Sequence, residues 1–416
     1  MPNLVDYGVL SDLKALVISV GTGTRASEDA VRSLARAIAF SIKHHNPDKT
    51  FFVVSKESRE KTLPLILEEA DLKEYETVNL ENPDDIQKVY EELRQKFIEI
   101  RNAFTSLAVD YTSGTKAMTG ALTILGTIFE ADTLSYITGK RVGGIVQHGT
   151  ETINIVRPYF ATSEQKIKTA IEFFNKNQFQ ATLNIIKNIR KTTGDPEIIN
   201  RITPLEKLAI AYDRWDKFHH KDAFETLRNI KIPELNGNKR FLGTLLNNLE
   251  KPEGEPEPFY IADLINNAKR RGDIEKKYDD AVARLYRTIE LIAHCKLKEK
   301  YGINPSQTAL NQIPPELQEK WNIKTRDKPI KLSLQMSYEL LNAKKDKLGE
   351  KYIKDKKIQN LLSKRNFSIL AHGTKPVNKE TYKELLKKMI EYASETIKNL
   401  KELLKDSEFI KWKTAT

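Results

Sequence analysis

The chain has 416 residues, 39% hydrophobic and 30% charged, which suits two to four domains with their own cores and excludes a mainly disordered polymer. Its 68 Lys+Arg against 57 Asp+Glu give a formal net charge of +11, and its one cysteine, Cys295, excludes an internal disulfide or a multi-cysteine zinc site. The charge is uneven: residues 261–416 hold 34 Lys+Arg against 21 Asp+Glu, whereas the first 260 hold 34 against 36.

From Ala15 onward, short apolar runs alternate with amphipathic segments. ALVISV (15–20) predicts a buried strand. SEDAVRSLARAIAFSIKHH (27–45) predicts a helix, with Ser27 as N-cap and Glu28 and Asp29 in the first turn, where the dipole favours them. FFVVS (51–55), a helix near 61–70, ETVNL (76–80) and a helix over about 84–101 continue the pattern. SLAVDYT (106–112), the apolar helix AMTGALTILGTIFE (117–130) and strands at 134–138, 144–148 and 152–160 complete it. Apolar strands separated by helices predict a mostly parallel, Rossmann-like α/β sheet covered on both faces.

Ligands in such sheets sit beyond the C-terminal strand ends, where helix N-termini present free N–H groups. Two loops there combine glycine, hydroxyls and one cation, a set suited to phosphate and ribose. One is Gly21, Thr22, Gly23, Thr24 and Arg25; the other is Thr112, Ser113, Gly114, Thr115 and Lys116. GTGTRA also meets the loose G-x-G-x-x-G/A dinucleotide pattern, but the second strand ends in Ser55-Lys56 and not in the acidic residue that pattern wants. That absence, and the lack of a clear substrate domain, disfavour a nicotinamide enzyme. A Walker A loop is absent.

Beyond Phe160 the strand pattern stops. Segments 171–189 and 212–230 resemble each other at an offset of 41, with Phe174 matching Trp215, Lys176 matching Lys217, and IKNI matching LRNI. Each predicts one tetratricopeptide-like helical hairpin, and two copies suit a spacer packed against its neighbours. His219 and His220 lie in the turn of the second copy and are expected to be solvated. KPEGEPEPF (251–259) marks a domain boundary, after which the charge turns basic. A polyanion gathered by bulk electrostatics belongs with this basic third, although a Lys-rich solvated surface would give the same count.

Helical periodicity returns over 274–300, 333–349, 354–372 and 378–405, around a polar stretch at 304–329, and predicts an all-α bundle. SKRNFSILAHGTKP (363–376) would place Arg365 and His372 two turns apart on one helix face, with Gly373 ending the helix. Roughly 10 Å of rise separates such a pair, and a second copy related by a two-fold axis would bring the pairs into one cleft. Arginine and histidine suit metal-free phosphodiester chemistry: His372 can move the proton and Arg365 can stabilise the developing charge. Asn366 could orient either partner. The His294–Cys295 pair reads as core and not as metal ligands, and His148 as structural. No apolar run approaches the roughly 20 residues that span a bilayer, and the N-terminus lacks a basic segment leading into an apolar one. A cytoplasmic protein without a membrane partner is the expectation.

RNFSILAHG resembles the R-N-x(4–6)-H signature of HEPN ribonucleases, with six residues between Arg365 and His372, and ARLYRTIELIAHCKL (283–297) resembles the preceding HEPN helix. GTGT and DYTSGTKAMTGAL are similar to segments of CARF domains. In domain order the whole chain resembles the type III CRISPR-associated CARF–HEPN ribonucleases. The resemblance implies a CARF domain over 1–160, an all-α spacer over 161–255 and an all-α HEPN domain over 256–416. It implies a homodimer whose CARF domains bind a cyclic oligoadenylate through Thr22 to Arg25 and Thr112 to Lys116, as an activator and not as a cofactor. Activation would let the HEPN pair cut single-stranded RNA without metal, leaving a 2′,3′-cyclic phosphate. Arg365 and His372 would be catalytic, with Asn366 in support. Cyclic tetra-adenylate is the preferred ring, and the CARF domain could also degrade it. The competing expectation is a non-catalytic regulator in which the α/β domain controls a basic helical module that only grips nucleic acid.

Overall fold

A computed structural model describes residues 13–23, 28–142, 145–323, 329–370 and 373–413, apart from the side chains of Ile145 and Phe160. The chain folds into two compact units, Met1–Lys166 and Ile167–Thr416. The first unit runs β1 (Lys14–Val20), α1 (Glu28–His45), β2 (Lys49–Val54), α2 (Lys56–Lys61), α3 (Leu63–Glu69), β3 (Tyr75–Asn79) and α4 (Ile86–Ala103). It continues with β4 (Ser106–Asp110), α5 (Lys116–Ile128), β5 (Thr133–Thr138), the hairpin β6 (Arg141–Val142) and β7 (Ile145–Val146), and β8 (Thr152–Val156). The main sheet has the order β3-β2-β1-β4-β5-β8. Its pairings are parallel except β5 with β8, which is antiparallel.

Alternation along β1 explains why both faces are covered. Ala15 and Val17 join Phe51, Val53, Leu107 and Val109 beneath α4 and α5. Leu16, Ile18 and Val20 join Phe52 and Val54 beneath α1 and α3, where Ala35, Ile38, Ile42, Leu63 and Ile66 meet them. A strand buried on both faces has no reason to alternate apolar with polar residues. The helix expected at 61–70 begins earlier and is split at Thr62, next to Pro64. The strand expected to reach residue 160 stops at Val156, because Pro158 cannot donate to a ladder and the helix α6 follows.

The second unit begins within α6 (Tyr159–Asn175) and continues with α7 (Phe179–Thr192), α8 (Pro196–Asp216), α9 (His220–Leu227) and α10 (Asn236–Glu250). The sequence repeat is a repeat of hydrogen bonds. Asn177 (φ 59°) and Phe218 (φ 64°) both take the left-handed conformation between paired helices. Gln178 N donates to Phe173 O and His219 N to Arg214 O, each at 2.9 Å. These are the bonds of a Schellman-type helix end. The hairpins close on a ring stack in which Tyr212 lies 4.0 Å from Phe409, centroid to centroid and nearly parallel. Asn175 holds the Trp412 backbone with a pair of hydrogen bonds of 2.8 and 3.0 Å.

The remaining helices are α11 (Glu257–Lys269), α12 (Tyr278–Tyr301), α13 (Pro315–Lys320), α14 (Leu334–Ala343), α15 (Lys347–Lys354), α16 (Lys356–Asn366), α17 (Lys379–Thr396) and α18 (Leu400–Asp406). A π-turn at Arg270–Ile274 joins α11 to α12. The helical runs expected over 333–349 and 378–405 are each interrupted, between Ala343 and Lys347 and between Thr396 and Leu400, and two further sequence expectations fail in this unit. His220 is buried and not solvated: its Nε2 lies 2.8 Å from Asp263 Oδ2, which also accepts from Trp215 Nε1 at 3.1 Å. The helix carrying Arg365 ends at Asn366 and does not reach residue 372. The chain turns back so tightly there that a Cβ on Gly373 would overlap the Phe367 carbonyl, and Ser368 bridges Lys375. Two-turn spacing on one helix face therefore does not describe the Arg365 segment.

Candidate functional site: a switch-point cavity and an arginine at a helix end

The order of strands in the first unit reverses between β1 and β4. A doubly wound sheet opens its ligand crevice at such a switch point. A cavity of about 490 Å³ lies there, lined by Gly21, Thr22 and Gly23 after β1 and by Thr112, Ser113, Gly114 and Thr115 after β4. The two predicted loops are thus brought together. Gly21 allows this approach, since a Cβ on it would stand 2.7 Å from Gly114 N. Gly114 takes φ +110°, a conformation costly for any other residue.

The hydroxyls of Thr112, Ser113 and Thr115 have partners within the protein. Ser113 Oγ donates to Ser19 O at 2.8 Å and accepts from Gly21 N at 3.1 Å, while Ser19 Oγ donates to Ser113 O. Thr115 Oγ1 accepts from Met118 N, capping α5, and donates to Pro83 O. Thr112 Oγ1 accepts from Ile137 N at 2.9 Å. Fully buried Asp110 anchors the second loop by accepting from Thr112 N at 2.8 Å, from Ser41 Oγ at 2.6 Å and from Ser135 Oγ at 2.9 Å. Behind it His45 Nε2 lies 2.9 Å from Ser135 Oγ, and burial holds its imidazole below the ordinary value against the opposing pull of Asp110. At these two loops the cavity therefore presents backbone and the N-cap of α5, an arrangement suited to anions.

Lys116 is exposed at the first position of α5 and is not among the cavity-lining residues. Thr24 and Arg25 lie outside the described residues. The sequence reading missed Ser33, Ser55, Glu57, Asp84 and Arg141, which line the same cavity from α1, the β2–α2 junction, the turn before α4, and β6. Each is an ordinary polar residue in its own segment, and only the tertiary fold places it here.

In the second unit, Arg365 and Asn366 are the last two residues of α16, where the dipole favours a cation. Asp355 starts the helix by accepting from Ile358 N at 3.1 Å. Arg365 Nη1 reaches Asn366 Oδ1 only at 3.4 Å, and its guanidinium carbon lies 4.4 Å from the centroid of the Tyr286 ring on α12. His372 lies outside the described residues. Phe367, Ile369 and Leu370, just past the helix end, are 68%, 57% and 51% exposed. On the same α12, burial first and then Arg287 push the His294 imidazole down to about 4, and burial pushes the Cys295 thiol up, so both are neutral near pH 7. Cys295 donates to Glu299. Among the described residues no group of three or more His, Cys, Asp or Glu side chains is placed to hold a metal ion, and no helix is long and apolar enough to cross a membrane.

Residues 162–254 match the family model described as the Csm6 6H domain, and residues 251–396 that described as the Csm6 HEPN domain. A solved structure of Enterococcus italicus Csm6 bound to cyclic hexa-2′-fluoro-hexa-dAMP is 12% identical and covers 95% of this chain and 98% of its own, with a TM-score of 0.62. That likeness establishes a shared fold. Can2 from Sulfobacillus thermosulfidooxidans, in complex with cyclic tetra-adenylate, is 14% identical over 41% of this chain and 49% of its own, with a TM-score of 0.23, too low to establish one. No curated protein sequence matches the chain significantly. A Rossmann-like unit followed by the 6H and HEPN regions is the CARF–HEPN arrangement. The chain belongs to the type III CRISPR CARF–HEPN proteins of the Csm6 family.

Proposed function

We propose that the protein is a cyclic oligoadenylate-activated endoribonuclease that cuts single-stranded RNA without metal. The observation that carries this reading is Arg365: a guanidinium at a helix end, inside the HEPN match, with no ion pair to a carboxylate among the described residues. With its Nε buried, its Nη N–H groups are left for a phosphate. In the proposed step the ribose 2′-oxygen attacks phosphorus and the P–O5′ bond breaks. His372 relays the proton between the 2′-OH and the leaving 5′-oxygen, Arg365 stabilises the charge on the phosphoryl oxygens, and Asn366 orients the group. The products are a 2′,3′-cyclic phosphate and a 5′-hydroxyl, so atoms balance without added water.

The exposed apolar residues Phe367, Ile369 and Leu370 support a homodimer, because an apolar patch beside a charged site suits burial by a second copy. We assign residues 1–160 to activator binding, 161–255 to the spacer and 256–416 to the nuclease. The switch-point cavity, lined by Thr22, Gly23 and Thr112 to Thr115, supports the assignment of activator binding to the loops Thr22 to Arg25 and Thr112 to Lys116. Cyclic tetra-adenylate is the proposed ring; cyclic hexa-adenylate, an analogue of which occupies the Enterococcus italicus structure, is its competitor. Lys116 and the hydroxyls of Thr22 and Thr24 are the groups proposed for slow degradation of the activator.

Incubating the protein with a labelled RNA and EDTA, with and without each ring, tests the reading. Cleavage to 2′,3′-cyclic phosphate ends only with a ring present is expected. Binding of RNA without cleavage would leave a nucleotide-controlled regulator instead.

A further inference from the structure

We infer that Tyr286 is a positioning residue for the nuclease site, and that its ring face sets the plane of the Arg365 guanidinium while leaving the Nη N–H groups to the RNA phosphate. The inference rests on the assignment of Arg365 proposed above.

Arginine is long, with several freely rotating bonds, so a catalytic arginine must be held. A carboxylate would hold it by occupying its N–H groups and offsetting its charge. At Arg365 the described partners are different. Its hydrogen bond to Asn366 is long, at 3.4 Å, and its Nε is buried with no described partner. The close contact is the ring of Tyr286, 4.4 Å from the guanidinium carbon and within cation–π range. An aromatic face grips the plane of the cation and leaves its edge free. Tyr286 sits on the long helix α12, and Arg365 on the last turn of α16, so the ring provides a platform from a packed element for a group at a helix end. Burial first, then Glu290, hold the Tyr286 phenol above its ordinary value against the pull of Arg365, so the ring stays neutral where an RNA assay is run.

The full-length protein, saturated with whichever adenylate ring activates it, is assayed on a fluorogenic RNA as wild type, Y286F, Y286L and R365A. Y286L removes the π-face while keeping apolar bulk. Its kcat should fall about tenfold, the size of a partly desolvated cation–π contact, with KM and melting temperature close to wild type. Y286F keeps the ring and should recover most of that loss. Wild-type kcat in Y286L alongside an inactive R365A would overturn the inference and leave the nuclease reading intact. A Y286F as slow as Y286L, at unchanged melting temperature, would overturn it too, because the hydroxyl and not the ring face would then be responsible. An active R365A would instead remove the catalytic assignment itself.

Discussion

His294 shows how burial sets the charge of a single residue in this protein. Desolvation on α12 lowers its imidazole to about 4, well below the ordinary 6.5, so the folded protein resists protonation that the unfolded chain accepts. Between about pH 6.5 and 4 the unfolded chain binds the extra proton, and stability must therefore fall as pH falls through that window. Stability from this source is fully present above pH 6.5. Thermal or denaturant melts of wild type and H294Q at pH 7.5 and 5 check this. The substitution should flatten the acid loss, and an equally steep loss in both proteins would contradict the assignment. The Cys295 thiol, pushed the other way by burial, should stay unreactive in the folded state.

At the scale of elements, the two cavity loops behave as one unit, because Ser113 and Ser19 exchange hydrogen bonds and Gly21 meets Gly114 backbone to backbone. Gly21→Ala forces a Cβ to 2.7 Å from Gly114 N and should separate the loops. The activator concentration for half-maximal RNA cleavage should rise about tenfold or more, the equivalent of about 1.4 kcal/mol of binding. An unchanged activation curve would remove the loops from the binding site. The loops were legible in the sequence because glycines and hydroxyls followed apolar runs too continuous to be anything but buried strands. The end of α16 was not legible. Phe367, Ile369 and Leu370 prolong an apolar pattern that reads as helix, whereas the fold-back at Gly373 depends on a contact with Phe367 that no local pattern announces. His220 failed for a related reason, since its buried partner Asp263 lies 43 residues away. The walls of the cavity formed by Glu57, Asp84 and Arg141 were invisible until the strands were ordered.

Over the whole molecule, the proposed function gives the division of charge a meaning. Residues 1–260 are nearly neutral and contain the cavity, whereas residues 261–416 carry the excess of cations together with Arg365. A compact cyclic nucleotide held by backbone groups needs no large field. A long RNA gathered over a basic surface does. Raising salt from about 50 to 200 mM should therefore raise KM for RNA steeply, with a log–log slope near 0.7 for each phosphate contact, while the activator requirement changes far less. Equal salt dependence for both ligands would refute this separation.

The most direct test of the central claim is RNA cleavage, in EDTA and with saturating activator, by wild type, R365A and H372A, alongside direct measurement of activator binding. Both variants should bind the activator as wild type does and lose cleavage by about 10³-fold, the scale of removing a transition-state contact. Wild-type cleavage by H372A would contradict the account.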